Sequence, residues 1–255
     1  MEKINLFTDI DNTLLYSYRR EIGENKVVVE HINGKIQSYM TKRSYDFFTD
    51  LHSAEIIPVT TRIKPQYDRL SALTAKLNVR YAIICNGGIL LENGEIQQNW
   101  LKRTYELAES AHGELVEAAE MMSKLSDREV HQVERIMAYV VCDDAEKAET
   151  ALKNTLDLQL VNIFRDNRKV YCVPSVINKG SAVRRFIAEF GQCTSIGAGD
   201  GEQDISMLEE VDIPIAAPTN HGKVENPKKI IADTATVFSD SICDVLEKIK
   251  PEIVG

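Results

Sequence analysis

The sequence predicts an α/β protein: a mainly parallel sheet flanked by helices, interrupted by a smaller α+β module. Three observations predict it. In the first third of the chain short apolar runs alternate with longer segments of helical period, the pattern of parallel strands joined by crossover helices. After Asn86-Gly87-Gly88 that rhythm gives way to a long helical pattern followed by β-prone runs. From Asn178 the first rhythm resumes and continues to a last helix.

Lys3 to Thr8 is a short apolar run ending at Asp9-Ile10-Asp11, a buried strand that leads into a loop. Lys26 to Glu30 and Lys35 to Met40 flank Asn33-Gly34, and Asn-Gly between β-prone runs marks a hairpin because both residues accept positive φ. Ser44 to Leu51 suits a helix. Glu55 to Val59 suits a second strand and leads into Thr60-Thr61-Arg62. Pro65 to Leu77 is helical in pattern, with Pro65 near its start, where a missing N–H is harmless. Ala82 to Cys85 is a third strand, closed by Asn86-Gly87-Gly88.

In the interrupting module, Thr104 to Leu125 reads as one long helix with apolar positions Leu107, Ala111, Leu115, Ala118, Met122 and Leu125. Ile136 to Cys142 is a strand, Ala145 to Leu156 a helix, and Leu158 to Arg165 and Lys169 to Val173 are strands. The resumed alternation runs through a helix at Gly180 to Phe190, a strand at Thr194 to Ala198, a helix at Gln203 to Val211, a strand at Ile213 to Ala216 and a helix at Asp240 to Lys250.

With 255 residues, 44% hydrophobic and 27% charged, the chain is long and apolar enough to bury a sizeable core. Its net charge of −9 argues against broad binding to nucleic acid or anionic membranes, which a basic face would supply. Small anionic substrates stay open, because a metal ion inverts the local field. Cys85, Cys142, Cys172, Cys193 and Cys243 are scattered, with no C-x-x-C, so reduced thiols are expected rather than a disulfide framework or a zinc site. Met1 to Asp11 lacks a basic segment followed by a long apolar stretch, and no apolar run reaches membrane-spanning length. A soluble, cytoplasmic protein is the expectation.

Asp9-x-Asp11-x-Thr13 stands at the carboxyl end of the first strand, where ligands bind in open α/β sheets. Spacing of two in extended chain points both carboxylates the same way. One can attack phosphorus and the other can move a proton. Alone, the tripeptide reads better as a strand ending in a turn with acidic helix-capping residues. Gly199-Asp200-Gly201-Glu202-Gln203-Asp204 follows another apolar strand and offers the hard oxygen ligands that magnesium prefers, Asp200 directly and Asp204 from an outer shell. Its alternating glycines do not make a dinucleotide fingerprint, because Glu202 stands where the third glycine belongs and the acidic residues repel a pyrophosphate. Neither acidic cluster has EF-hand spacing. Lys179, just before a helix, can neutralise a phosphate, although a single lysine is ordinarily solvated surface. Thr60 follows the second strand and can present a hydroxyl and nearby N–H groups to phosphate oxygens, or simply cap a turn.

Together, in this order and after strands, the four features resemble the motifs of the haloacid dehalogenase-like superfamily of phosphohydrolases. Motif one matches Asp9-Ile10-Asp11-Asn12-Thr13, motif two Thr60 in Val59-Thr60-Thr61-Arg62, motif three Lys179, and motif four Gly199-Asp200 through Asp204. The interrupting module resembles the type C2 cap, and Asn86-Gly87 and Asn178-Lys179-Gly180 resemble the Cof-like and sucrose-phosphatase-like branch. The resemblance implies a Rossmann-like parallel-sheet core of residues 1–88 and 176–255 with an inserted smaller α+β cap domain of residues 89–175. It implies a magnesium-dependent phosphatase of a small phosphorylated metabolite, with sugar phosphates first. Asp9 would be nucleophile and metal ligand. Asp11 would be general acid/base, with its carbonyl on the metal. Thr60, Lys179, Asn86 and Arg62 would bind phosphate, with Asp200 and Asp204 at the magnesium. The cap would set substrate choice.

Three residues depart from the family pattern. Asn12 replaces the commoner glycine, Thr61 the usual glycine before Arg62, and Gln203 the usual asparagine before Asp204. A phosphomannomutase-like phosphosugar mutase and a non-catalytic phospho-ligand-binding protein are the alternatives. The glutamates of the long helix, Glu106, Glu109, Glu114, Glu117 and Glu120, read as a solvated face, and the five histidines show no metal spacing. Arg165, Arg168 and Lys169 read as an exposed hairpin tip, with contact to the substrate's remote end as the functional alternative. The Asn33-Gly34 hairpin reads as a decorated loop or a gating flap.

Overall fold

The computed structural model describes residues 4–191, 193–233 and 235–254. The chain divides into two compact units, Met1–Ile96 with Lys179–Gly255, and Gln97–Asn178. Among the described residues no helix is long and apolar enough to cross a membrane.

The first unit is built on five parallel strands. Ile4–Thr8, buried along its whole length, lies between Thr194–Gly199 and Glu55–Pro58, and Ile213–Ala216 and Ile230–Ile231 continue the sheet beyond Thr194–Gly199. Near-continuous apolar runs such as Ile4 to Phe7 and Ile213 to Ala216 suit strands covered on both faces, which parallel sheets require. Thr8 stands opposite Ala198 on one side and Pro58 on the other. The residues that follow these three strands therefore share one edge of the sheet: Asp9, Asp200 and, one residue further along, Thr60.

The third apolar run, Tyr81–Ile84, differs from its expected place in that sheet. It pairs antiparallel with Ile89–Glu92, which pairs in turn with Glu95–Ile96. A single parallel bridge, Val59 to Ile83, links it to the end of the neighbouring strand. The reversal is made by Cys85 and Asn86, both left-handed (φ 53° and 58°), followed by Gly87 (φ 110°). The Asn-Gly-Gly signal was thus a hairpin bend.

Lys26–Ile32 and Lys35–Thr41 form the expected hairpin, with Asn33 and Gly34 both at positive φ (52° and 75°). Tyr16–Ser17 adds a third strand to it. A bulge at Glu30 breaks the alternation of Lys26–Ile32, so Val28 is exposed while Glu30 is buried. The helix expected over Pro65 to Leu77 is two, Lys64–Asp68 and Ser71–Lys76, with buried Leu70 at the break. The helix expected over Gln203 to Val211 is a 3₁₀ turn, Glu202–Asp204, and an α-helix, Ile205–Glu210.

In the second unit the long helix is also divided, into Gln98–Ala108 and His112–Leu125 around a 3₁₀ turn, Glu109–Ala111. Ala108 and Ala111 are both buried at the bend, so the apolar period runs through it unbroken, and only Gly113, the second residue of the following helix, marks it in the sequence. The sheet is antiparallel, in the order Val161–Asp166, Lys169–Pro174, Met137–Val141, His131–Val133. One face packs Ala138, Val140, Val161, Ile163, Val170 and Cys172 against Leu115, Ala118, Met122 and the helix Ala145–Thr155. The other carries a row of rings across the strands: His131, Tyr139, Tyr171 and Phe164, with centroids 4.7, 5.2 and 4.9 Å apart in succession.

Candidate active site

Asp9 is held at the sheet edge by its backbone, its N–H donating to the Ala198 carbonyl at 2.9 Å. Beside it the loop after Thr194–Gly199 is fixed by close packing. A methyl at Gly199 would lie 2.5 Å from Cγ of Asp204, so glycine there lets the Asp204 side chain tuck under the loop. Asp204 Oδ2 accepts the Gly201 N–H at 2.8 Å, and Asn220 Nδ2 donates to the carbonyls of Gly199 (3.0 Å) and Gly201 (3.1 Å). Thr13 Oγ1 donates to Asp200 Oδ1 at 3.1 Å.

Lys179 opens the helix Lys179–Phe190. The next residue explains how it comes so close: a Cβ on Gly180 would sit 2.6 Å from the Ser206 carbonyl carbon, so only glycine lets this helix meet Ile205–Glu210. Lys179 Nζ then lies 2.5 Å from Oδ1 of both Asp9 and Asp204, with its side chain 2% exposed. Burial alone would discharge this ammonium, but Asp204 and Asp9 outweigh burial and raise its pKa, so it stays protonated.

Asp9, Asp200 and Asp204 each offer a carboxylate oxygen within 4.8 Å of the others. Burial, together with Asp204, Asp200 and Asp11, holds the Asp9 carboxyl well above its ordinary range against the pull of Lys179. Burial and the charge of Asp204 push Asp200 up to about 6. Three carboxylates around one ammonium leave uncompensated negative charge, and the donors are hard oxygens. That combination fits a divalent cation such as Mg²⁺. Both Asp204 oxygens are engaged, by Lys179 and by Gly201, so Asp9 and Asp200 are the carboxylates suited to direct ligation and Asp204 supports them.

Asp11 is placed differently from its neighbours. Arg62 grips it on both oxygens, Nε to Oδ2 and Nη2 to Oδ1, each at 2.8 Å. Asn12 makes the turn between the aspartates and Thr13 with φ 62°, a left-handed value that glycine or asparagine tolerates, so the departure from glycine keeps the backbone. Arg20 Nη1 donates to the Asn12 amide oxygen at 3.1 Å.

Arg62, expected to face phosphate, has its guanidinium engaged by the protein. Besides Asp11 it meets Glu30, Nη1 to Oε1 at 2.9 Å and Nη2 to Oε2 at 3.0 Å. Glu30 also accepts from Arg69 Nε and Ser38 Oγ, each at 2.8 Å. Burial would raise the Glu30 carboxyl, yet the hydrogen bonds and charge of Arg62, with Ser38 and Arg69, lower it. Sequence reasoning missed Glu30, Ser38 and Arg69. The usable signal was an acid directly after Val27-Val28-Val29 in a β-prone run.

Thr60 is buried, and its Oγ1 accepts the Arg62 N–H at 3.2 Å. The bend after Tyr81–Ile84 is pinned to it: the Asn86 N–H donates to the Thr60 carbonyl and the Cys85 N–H to that of Arg62, both at 2.9 Å. Asn86 is therefore brought beside Thr60. Such left-handed non-glycine residues cost roughly 1–3 kcal/mol each and gather at functional sites. Cys85 itself is a buried thiol pushed up to about 12 by desolvation. Of the basic group at the hairpin of the second unit, Arg165 pairs with Glu146 and Glu149 and Arg168 with Asp143, while Lys169 Nζ lies 5.9 Å from the Tyr139 ring centroid. A cavity of about 510 Å³, lined by Ile4, Phe47, Leu51, Ile196 and Leu246 among others, lies toward the amino ends of the strands and includes none of the site residues.

The haloacid dehalogenase-like hydrolase family model matches residues 49–246, a stretch that includes Thr60, Lys179, Asp200 and Asp204 and begins after Asp9. No curated protein matches the chain. Solved structures share the fold. A sugar phosphatase of HAD subclass IIB is 16% identical over 96% of this chain and 98% of that one, with a TM-score of 0.61. The sucrose-phosphatase of Synechocystis sp. PCC6803, solved with sucrose and phosphate, is 12% identical over 98% and 99%, with a TM-score of 0.62. A HAD phosphatase of Bacteroides thetaiotaomicron is 15% identical over 98% and 96%, with a TM-score of 0.58.

Proposed function

The chain belongs to the haloacid dehalogenase-like hydrolase family, and on that premise we propose that it is a magnesium-dependent phosphatase of small phosphorylated metabolites, using Asp9 as nucleophile. One observation carries the reading: a sealed Lys179 ammonium bridges Asp9 and Asp204 at the sheet edge where Asp200 and Thr60 follow their strands. The two units are then a discontinuous core domain and an inserted C2-type cap domain. Sugar phosphates are the first substrate class to try, because the similar folds include a sugar phosphatase and a sucrose-phosphatase.

Lys179 donates to Oδ1 of Asp9, whose second lone pair would face the metal, and Oδ2 attacks phosphorus. Asp11, turned off Arg62 and carrying a proton taken from solvent, gives that proton to the leaving oxygen as its bond to phosphorus breaks, and a phosphoaspartate forms on Asp9. Water then attacks the same phosphorus, Asp11 takes the water's proton, and inorganic phosphate leaves with Asp9 restored. Thr60 and Lys179, with Asn86 beside Thr60, hold the equatorial oxygens in line. Mg²⁺ held by Asp9, Asp200 and the Asp11 carbonyl would supply positive charge against the transferring phosphoryl group.

Incubation with magnesium and a panel of sugar phosphates and other phosphorylated metabolites tests this. Release of inorganic phosphate that stops on chelation is the expected result. Isomerised sugar phosphate without free phosphate would instead mark a mutase, and tight binding without turnover would mark a binding protein.

A further inference from the structure

We propose that Glu30 is a positioning residue for Asp11, acting through Arg62; the inference rests on the reading of Asp11 as the general acid/base. The guanidinium is a bracket with two unequal ends. One carboxylate, Glu30, is sealed, with its side chain 0% exposed and two further partners in Arg69 and Ser38. The other, Asp11, is held by Arg62 on both oxygens but is 47% exposed. The bulge in Lys26–Ile32 builds this inequality. Strict alternation would put Glu30 on the same face as exposed Val28, and the extra residue turns its carboxylate inward to Arg62 instead.

The chemistry needs that asymmetry. To protonate a leaving oxygen, Asp11 must come within hydrogen-bond reach of it, so it must give up part of the Arg62 grip and later return. A buried arginine whose sole counter-ion departed would be left with an unbalanced charge. Glu30 keeps Arg62 paired and fixed whether Asp11 is on it or turned to substrate. Arg62 therefore serves as a stationary rest for Asp11, and Glu30 sets where that rest is. The hairpin thereby acquires a role in proton transfer through one side chain.

The test compares Glu30→Gln with the unaltered protein on two substrates. p-Nitrophenyl phosphate has a leaving group that departs without a proton. The alkyl phosphate turned over fastest in the panel has one that needs it. The readout is kcat/KM, which covers only the steps up to departure of the leaving group. Glu30→Gln is expected to lower kcat/KM for the alkyl phosphate by about tenfold or more, within the range general acid catalysis supplies, and that for p-nitrophenyl phosphate by less than about threefold. Because both values come from one preparation, any misfolded fraction cancels in their ratio. If Glu30→Gln yields no soluble protein, Arg69→Gln removes a partly exposed partner of Glu30 and is scored by the same ratio, with a smaller shift in the same direction. Equal losses on both substrates, or none on either, would overturn the proposal. Unaltered protein that releases phosphate from neither substrate would overturn the phosphatase reading and this inference with it.

Discussion

Lys179 Nζ stands 2.5 Å from Oδ1 of Asp9, and both side chains are almost sealed from solvent, at 2% and 10% exposed. Removing the lysine leaves two buried carboxylates, Asp9 and Asp204, without their counter-ion.

Lys179→Met is therefore expected to act twice. Phosphate release should fall by about 10²–10³-fold, the usual loss of one preorganised charge at a transition state. Urea denaturation without metal should show a loss of about 3–5 kcal/mol, because Asp9 and Asp204 are left facing each other. Wild-type stability in this variant would contradict the bridging role.

Magnesium should stabilise the protein, and the effect should depend on pH in a set direction. The folded-state pKa of Asp200 is raised, from 3.8 to about 6, by burial first and then by Asp204. Its protonation favours the folded state, fully so below 3.8, and that contribution is lost as pH rises through about 6. A cation competes with that proton. At a hundredfold excess over Kd, magnesium should add about 2.7 kcal/mol near neutral pH, seen as a rise in Tm of several degrees. The rise should shrink as pH falls below about 6 and should be absent in Asp200→Asn. A rise that persists in Asp200→Asn would place the cation elsewhere.

Gly180→Ala tests how Lys179 reaches the site. The added methyl would fall on the Ser206 carbonyl, which is backbone and has no freedom to swing away. The helix Lys179–Phe190 must then shift and carry Lys179 with it. Overpacking of this kind costs typically about 1–3 kcal/mol, and kcat should fall more than KM changes. Unaltered kcat would show that the close approach is only packing.

Acid should weaken the Glu30 network. Burial raises the Glu30 carboxyl, but Arg62, Ser38 and Arg69 outweigh it, so its folded pKa lies below the ordinary 4.5. Its stabilising contribution is fully present above pH 4.5 and is lost as pH falls through the lower folded value. The stability gap between the unaltered protein and Glu30→Gln, measured by denaturant titration, should be widest above pH 4.5 and close on further acidification. A gap that widens in acid would reverse the assignment.

Much of this was legible in the sequence because it depends on local order. Apolar runs ending in Asp9, Thr60 and Asp200 announce parallel strand ends, and parallel pairing alone places those residues side by side. Asn33-Gly34 announced its turn through positive φ. What was hidden depends on contacts between distant elements. The helix over Thr104 to Leu125 bends at buried alanines that keep its apolar period, which masks the one weak mark of the bend, Gly113, just after the turn. Tyr81–Ile84 looks like a third parallel strand until Ile89–Glu92 folds back on it. Arg62 carries the motif of a phosphate ligand, yet its partners come from the Asp9-Ile10-Asp11 loop and from a bulge in the hairpin, and a bulge has no simple sequence mark.

The most direct test of Asp9 as nucleophile is phosphate release by Asp9→Asn, with magnesium and the best substrate of the panel, beside a denaturation curve showing that the variant is folded. Loss of release by several orders of magnitude in a folded protein is the predicted result. Release at the unaltered rate would contradict it.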